Sequence, residues 1–302
     1  MLYQQLQKSL ELVRQADIIV IAAHSQGCPV STLIMEKMLK ECEIDPLRQM
    51  TAILAMAGIS HGPFPHLKSS VIIKYVETSQ AKELFDFNNP TSSVSVAYMN
   101  ALDYILHSGT KYIAVGSWYD QVVPLYSATV QGINHPNLYR ALYIDAQDYQ
   151  PDFLSHLLVF CLKLRNRGLS DYGIVIHLSD IVAGNIYGFG TQGHSAIYEE
   201  ELTYLLGITW LFAHVDSCIP LRKDQQIVEE PRSVGSFVAP SRLNPYSLPW
   251  LMAHLMLDQN ITQDEELRQD VELIKMLYGT WKPSDSVSKD VKFRLEGLKS
   301  KL

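Results

Sequence analysis

The sequence predicts an α/β architecture: a mainly parallel sheet with helices flanking it. Three observations carry this prediction. Four short runs of apolar, strand-forming residues recur along the chain, helix-period stretches lie between them, and the first run, DIIVIAA, is apolar on both faces. A strand covered on both faces shows that last pattern, and strand–helix–strand alternation implies crossover connections in a parallel sheet.

The elements follow in order. Residues 2–15 space Leu6, Leu10, Leu12 and Val13 in a helical pattern. Residues 17–23 (DIIVIAA) predict a strand buried between helix layers, and a helix pattern containing Leu33, Met35 and Met38 runs over 29–42. Residues 49–57 (QMTAILAMA), stopped by Gly58, predict the second strand, 110–116 (TKYIAVG) the third and 138–146 the fourth. Between the second and third strands, 63–108 is too long for a simple connection. It is expected to form a cap-like insertion above the carboxyl ends of the strands. Its second half, a helix near 93–107 entered through N-N-P-T-S-S, reads equally well as an ordinary crossover helix. A helix is expected over 152–167, a glycine-rich loop over 184–195 (GNIYGFGTQGHS) and another helix over 199–214. Beyond 215 the stretch EEPRSVGSFVAPSRLNPYSLP carries many breakers and is expected at the surface, followed by helices at 248–257, 264–278 and 288–302. Residues 1–214 therefore form the expected core, and 215–302 a C-terminal loop and helical extension.

Composition narrows the function. Apolar residues make up 47% and charged residues 19%, enough to build a core and too few charges for a disordered chain. The net charge of −7 offers no basic stripe for nucleic acid. Cys28, Cys42, Cys161 and Cys218 are widely spaced without a C-x-x-C pair, the usage of thiols in a reducing compartment. Residues 1–14 lack the continuous apolar stretch of a signal peptide, and no apolar run reaches the roughly 18 residues a membrane span needs. A cytoplasmic protein is the expectation, provided Met1 is the true start. There is no metal-ligand cluster and no phosphate-cradling motif, so no cofactor is expected.

Three short motifs carry chemistry. The first, A-H-S-Q-G at 23–27, falls between a buried strand and a helix. A hydroxyl is a poor nucleophile at neutral pH and must be held where a base can take its proton. A sharp strand-to-helix turn lifts Ser25 above the sheet edge, with small residues expected two positions to either side, and Ala23 and Gly27 meet that demand. The backbone N–H of Gln26, at the start of the helix, is the expected oxyanion donor. A serine that merely caps the helix gives the same pattern. The second motif places Asp120 just past the third strand, in G-S-W-Y-D-Q-V-V-P, where a carboxylate can orient and stabilise an imidazolium. An Asx-turn aspartate is the plain alternative, and Asp145, Asp148 and Asp180 are rivals. The third is His194, in G-F-G-T-Q-G-H-S-A-I-Y, where glycines let a loop curl toward the sheet edge. His61, in G-I-S-H-G-P after the second strand, competes with it. His24 adjoins the serine but is expected to point away along the turn.

Serine, then aspartate, then histidine, each at the exit of a strand, is the chain order of α/β-hydrolases rather than of chymotrypsin or subtilisin. With these residues in hand the chain resembles the lipase/esterase branch of that superfamily. It is most similar to a fungal family of intracellular lipase-like serine hydrolases, a likeness carried by L-F-D-F-N-N-P, V-G-S-W-Y-D-Q-V-V-P-L-Y-S-A and G-H-S-A-I-Y-E-E over roughly 15–214. The resemblance implies Ser25 as nucleophile, Asp120 as acid and His194 as base, acting on a carboxylic ester, lipid esters included, through an acyl-enzyme. Two departures stand out. Ala23 occupies a position usually held by glycine, and only 24 residues precede Ser25, whereas the family places several strands and a second oxyanion donor upstream. The N-terminal strands are thus expected to be lacking, and a preceding segment or a partner is expected to cover the bare strand edge. Weak or absent activity of this chain alone is consistent with one missing donor. A thioesterase or peptidase with the same triad, and a non-catalytic binding module on the same fold, are the alternatives.

Overall fold

A computed structural model describes residues 9–69, 83–146, 149, 151–183, 193–213, 237 and 244–298. The glycine-rich stretch 184–192, the breaker-rich stretch 214–236, Asp148 and Cys218 lie outside the described residues, as does 70–82 of the expected insertion.

A short helix α1 (Leu10–Gln15) leads into strand β1 (Ile18–His24), helix α2 (Gly27–Lys40) and strand β2 (Met50–Met56). Helix α3 (Ser93–His107), strand β3 (Lys111–Ser117), helix α4 (Leu125–Ala128) and strand β4 (Leu138–Tyr143) follow. Then come α5 (Phe153–Asn166), α6 (Ile174–Ser179), α7 (Gly193–Ala196) and α8 (Glu201–Ala213). The C-terminal part holds α9 (Leu248–Leu257), α10 (Gln259–Thr262), α11 (Glu265–Thr280) and α12 (Ser286–Leu295). The four strands pair in chain order, β1-β2-β3-β4, and every pairing is parallel. This is the open, helix-flanked α/β sheet the sequence predicts.

Each face of the sheet is covered by a different set of helices. On one face, Met35 and Met38 of α2 and Tyr98, Leu102 and Ile105 of α3 pack against Ile53, Ala55, Tyr112 and Ala114. On the other, Trp210 and Leu211 of α8 close over Leu54, Met56, Ile113 and Val115. Because both faces are covered, β2 and β3 are buried almost throughout, which explains their unbroken apolar sequence. Helix α3 starts where Ser92 accepts the Ser95 N–H at 3.2 Å, and it packs on α2 as a crossover helix does.

Strand β1 departs from expectation. The sequence predicts burial on both faces, yet Ile18 and Val20 are 42% and 45% exposed. Two physical reasons account for this. Among the described residues β1 forms the sheet edge, and α8 packs over β2 and β3 rather than over β1.

A third apolar core lies beyond β4. Phe153, Leu157 and Leu158 of α5 pack with Met252, Leu255, Leu267, Ile274 and Tyr278 of α9 and α11. Asp152 caps α5 through a reciprocal bond with Ser155, and its other carboxylate oxygen accepts the Trp281 indole N–H at 3.0 Å. No helix among the described residues is long and apolar enough to cross a membrane.

Candidate active site

β1 ends at His24, and the chain turns into α2 within two residues. The Ser25 N–H still donates to Met56 O at 2.9 Å, so the sheet holds the turn from below. Its φ is +54°, a left-handed conformation that costs a non-glycine residue about 1–2 kcal/mol. That strain lifts Oγ above the carboxyl edge of the sheet. Steric crowding at this turn is milder than the small-residue pattern suggests. A Cβ on Gly27 would stand 3.8 Å from the Ala23 Cβ, an ordinary contact.

Asp120 follows β3 through Trp118, whose N–H donates to Tyr143 O at 2.7 Å, and Tyr119, which sits at φ +59°. Asp120 is buried, and its two oxygens are divided between two tasks. Oδ1 accepts the N–H groups of Val122 at 2.7 Å and Val123 at 2.8 Å, while Oδ2 lies 2.8 Å from His194 Nδ1. The turn-forming aspartate and the histidine-facing aspartate, alternatives in the sequence, are thus one side chain.

His194 stands on α7, and its Nε2 lies 3.1 Å from Ser25 Oγ. The chemistry of its neighbours fixes the tautomer. A carboxylate accepts only, so Nδ1 carries the proton, and the Nε2 lone pair is left to accept the Ser25 hydroxyl hydrogen. Three residues spread over 170 positions of chain thus stand in one hydrogen-bonded line at the sheet edge.

The rivals stand elsewhere. His61 is fully buried, its Nε2 donates to Gln131 O at 2.7 Å, and its N–H donates to Ser127 Oγ at 2.9 Å. Burial in this apolar setting pushes its pKa down to about 4, so it is a neutral structural histidine. Asp145 accepts the Tyr143 hydroxyl at 3.4 Å. Burial raises the pKa of Asp180 above its ordinary value, and it does not face His194.

His24 also differs from expectation. Its ring does not point away but turns toward the site, with Nε2 2.8 Å from His194 O. The reason is its place in the sheet. His24 pairs in register with Met56, on the face that α8 and the segment before it cover, and Tyr198 of that segment meets the His24 ring edge-on at 4.8 Å.

Gln26 forms the N-cap of α2 in helical conformation, and among the described residues its N–H has no acceptor. In front of Ser25 and His194 opens a cavity of about 380 Å³. One wall is apolar, made by Ile59, Pro63, Leu67, Leu84, Phe85 and Val122. A larger cavity of about 460 Å³ lies apart, between Trp118 and the turn after α11, and does not reach Ser25. Among the described residues no cluster of histidine, cysteine and carboxylate side chains forms a metal-ligand set.

Comparison with curated proteins and with solved structures returns no match. A family model described as the YMC0/YMC35 alpha/beta hydrolase domain matches residues 1–259, most of the chain. With its parallel sheet and helices on both faces, the chain belongs to this family of α/β-hydrolase domains.

Proposed function

We propose that the chain is a serine hydrolase acting on carboxylic ester bonds, with Ser25, His194 and Asp120 as a catalytic triad. One observation carries the reading: the unbroken pair of hydrogen bonds from Asp120 Oδ2 through His194 to Ser25 Oγ, at 2.8 and 3.1 Å. Stability gives no reason to bury a carboxylate against an imidazole and to strain a serine beside it, whereas proton transfer gives one.

In this scheme Ser25 Oγ attacks the ester carbonyl carbon as His194 Nε2 takes its proton. Asp120 then stabilises the imidazolium. The oxygen of the tetrahedral intermediate takes its charge next to the Gln26 N–H, at the positive end of α2. Collapse expels the alcohol, which His194 protonates. A water molecule, deprotonated by the same nitrogen, hydrolyses the acyl-enzyme and frees the acid. The apolar wall of the cavity suits the hydrocarbon part of an ester, lipid esters included. With Gln26 as the single assigned donor, turnover is expected to be about 10²–10³ below that of a two-donor site. A segment or partner covering the β1 edge would supply the second donor. The free thiols Cys28 and Cys161, both buried, suit a reducing compartment such as the cytoplasm.

A panel of p-nitrophenyl esters of increasing acyl length, with a thioester and an anilide for comparison, tests the proposal. Hydrolysis of the oxygen esters is expected in the native chain and is expected to vanish in Ser25→Ala. Equal turnover by Ser25→Ala would remove Ser25 from the mechanism, and a preference for the thioester or anilide would reassign the substrate class.

A further inference from the structure

His24 has no part in the scheme above, yet its side chain is hydrogen-bonded to the backbone of the base. Its Nε2 lies 2.8 Å from the backbone oxygen of His194, and the two rings approach to 4.7 Å between centroids at 50°. Tyr198 meets the His24 ring edge-on at 4.8 Å. A carbonyl oxygen can only accept, so His24 must carry its proton on Nε2 and donate it.

The anchoring of the two partners is unequal. His24 is the last residue of β1, paired with Met56, and Ser25 continues that pairing by one more bond. His194 stands instead on the four-residue α7, too short to be stable by itself. The bonds at its ring set where the imidazole points. They do not set how far its backbone stands from the sheet, and a displacement of about 1 Å can cost about 10²-fold in rate. The hydrogen bond from His24 ties that backbone to the same strand that carries the serine, so nucleophile and base share one support. Burial also lowers the proton affinity of His24, which keeps a second positive charge away from His194 when it is protonated.

We propose that His24 is a positioning residue, which holds His194 at working distance from Ser25 by donating Nε2–H to the His194 carbonyl. The proposal rests on the triad reading above.

The test compares His24→Ala, His24→Leu and His24→Gln in the full chain, with Ser25→Ala beside them and the thermal midpoint of each recorded. Leucine keeps bulk without a donor, and glutamine restores an N–H at a similar reach. Folded His24→Ala and His24→Leu are expected to lose about 10–10²-fold in kcat and in the rate of fluorophosphonate labelling, with KM nearly unchanged. His24→Gln is expected to recover most of that loss. Should alanine prevent folding, the leucine and glutamine pair decides alone. Full activity in His24→Leu, or an equal loss in His24→Leu and His24→Gln, would overturn the positioning role while leaving the triad intact. Persistent labelling of Ser25→Ala would instead sink the triad reading itself.

Discussion

At the scale of single residues, Asp120 shows how one side chain serves both fold and proposed chemistry. Its Oδ1 closes the turn at Val122 and Val123, and its Oδ2 faces His194. Asp120→Asn keeps the turn acceptor but presents the imidazole with an amide able to favour the wrong tautomer. We expect a loss near 10⁴-fold in kcat with little change in thermal midpoint, read from ester hydrolysis and a melting curve. His61 makes the opposite case, a histidine whose role is packing. Its folded pKa of about 4 lies below the unfolded value near 6.5. As pH falls below about 6.5 the unfolded chain takes up a proton there that the folded chain refuses, so stability declines until pH reaches about 4. The full contribution is roughly 3 kcal/mol. Urea midpoints between pH 7 and pH 4 should therefore fall more steeply in the native chain than in His61→Gln, by one proton. The places of Ser25 and Asp120 just past β1 and β3 were legible in the sequence, because apolar runs mark both strands. The orientation of His24 was not. It depends on which sheet face a strand residue meets, and on Tyr198 reaching that face from 174 positions away.

At the scale of elements, the strands were legible to within a few residues at either end, since β2 and β3 are buried on both faces and read as unbroken apolar runs. Short helices such as α4 and α6 were not, because four to six residues carry too little periodicity to be told from turns. The exposure of β1 escaped for a related reason. Apolar sequence reports what a strand prefers, and Ile18 and Val20 keep that preference at a sheet edge. Two glycines near the site, Gly62 in a loop and Gly27 at the start of α2, make contrasting predictions. Gly62 has a φ of +83°, and a Cβ there would fall 1.8 Å from the side-chain amide of Asn88 and 2.9 Å from its backbone nitrogen. That amide, in the orientation that satisfies it, donates to His61 O and Pro63 O. Gly62→Ala combines a left-handed penalty of about 1–2 kcal/mol with overpacking of about 1–3 kcal/mol. A drop of at least about 2 kcal/mol in unfolding free energy is expected. Gly27→Ala meets only Ala23 at ordinary contact distance and should fold and turn over substrate nearly as well as the native chain.

At the scale of the whole molecule, the α/β class was legible from strand–helix alternation, but the setting of the C-terminal helices was not, because their partners lie about 100 positions upstream. Lys163 of α5 pairs with Asp270 of α11 at 2.6 Å, and Tyr172 donates to Asp258 at 2.7 Å. A half-exposed ion pair and a single hydrogen bond of this kind add little, and the shared apolar core adds more. Met252, Leu255, Ile261, Leu267, Ile274 and Tyr278 are all buried against or near α5. At about 1.5–3 kcal/mol for each such side chain, their removal costs about 10 kcal/mol or more, comparable with the whole stability of a domain. A chain ending before α9 is therefore expected to aggregate or to show no cooperative melt, and a sharp transition in the truncated chain would count against this shared core. The proposed chemistry rests on the fold bringing Ser25, His194 and Asp120 into one hydrogen-bonded line. Its most direct test is intact-mass and peptide analysis after treatment with a fluorophosphonate. A single adduct is expected on the peptide bearing Ser25, slowed in Asp120→Asn and absent in Ser25→Ala. An adduct on another serine, or an equal rate in all three proteins, would contradict it.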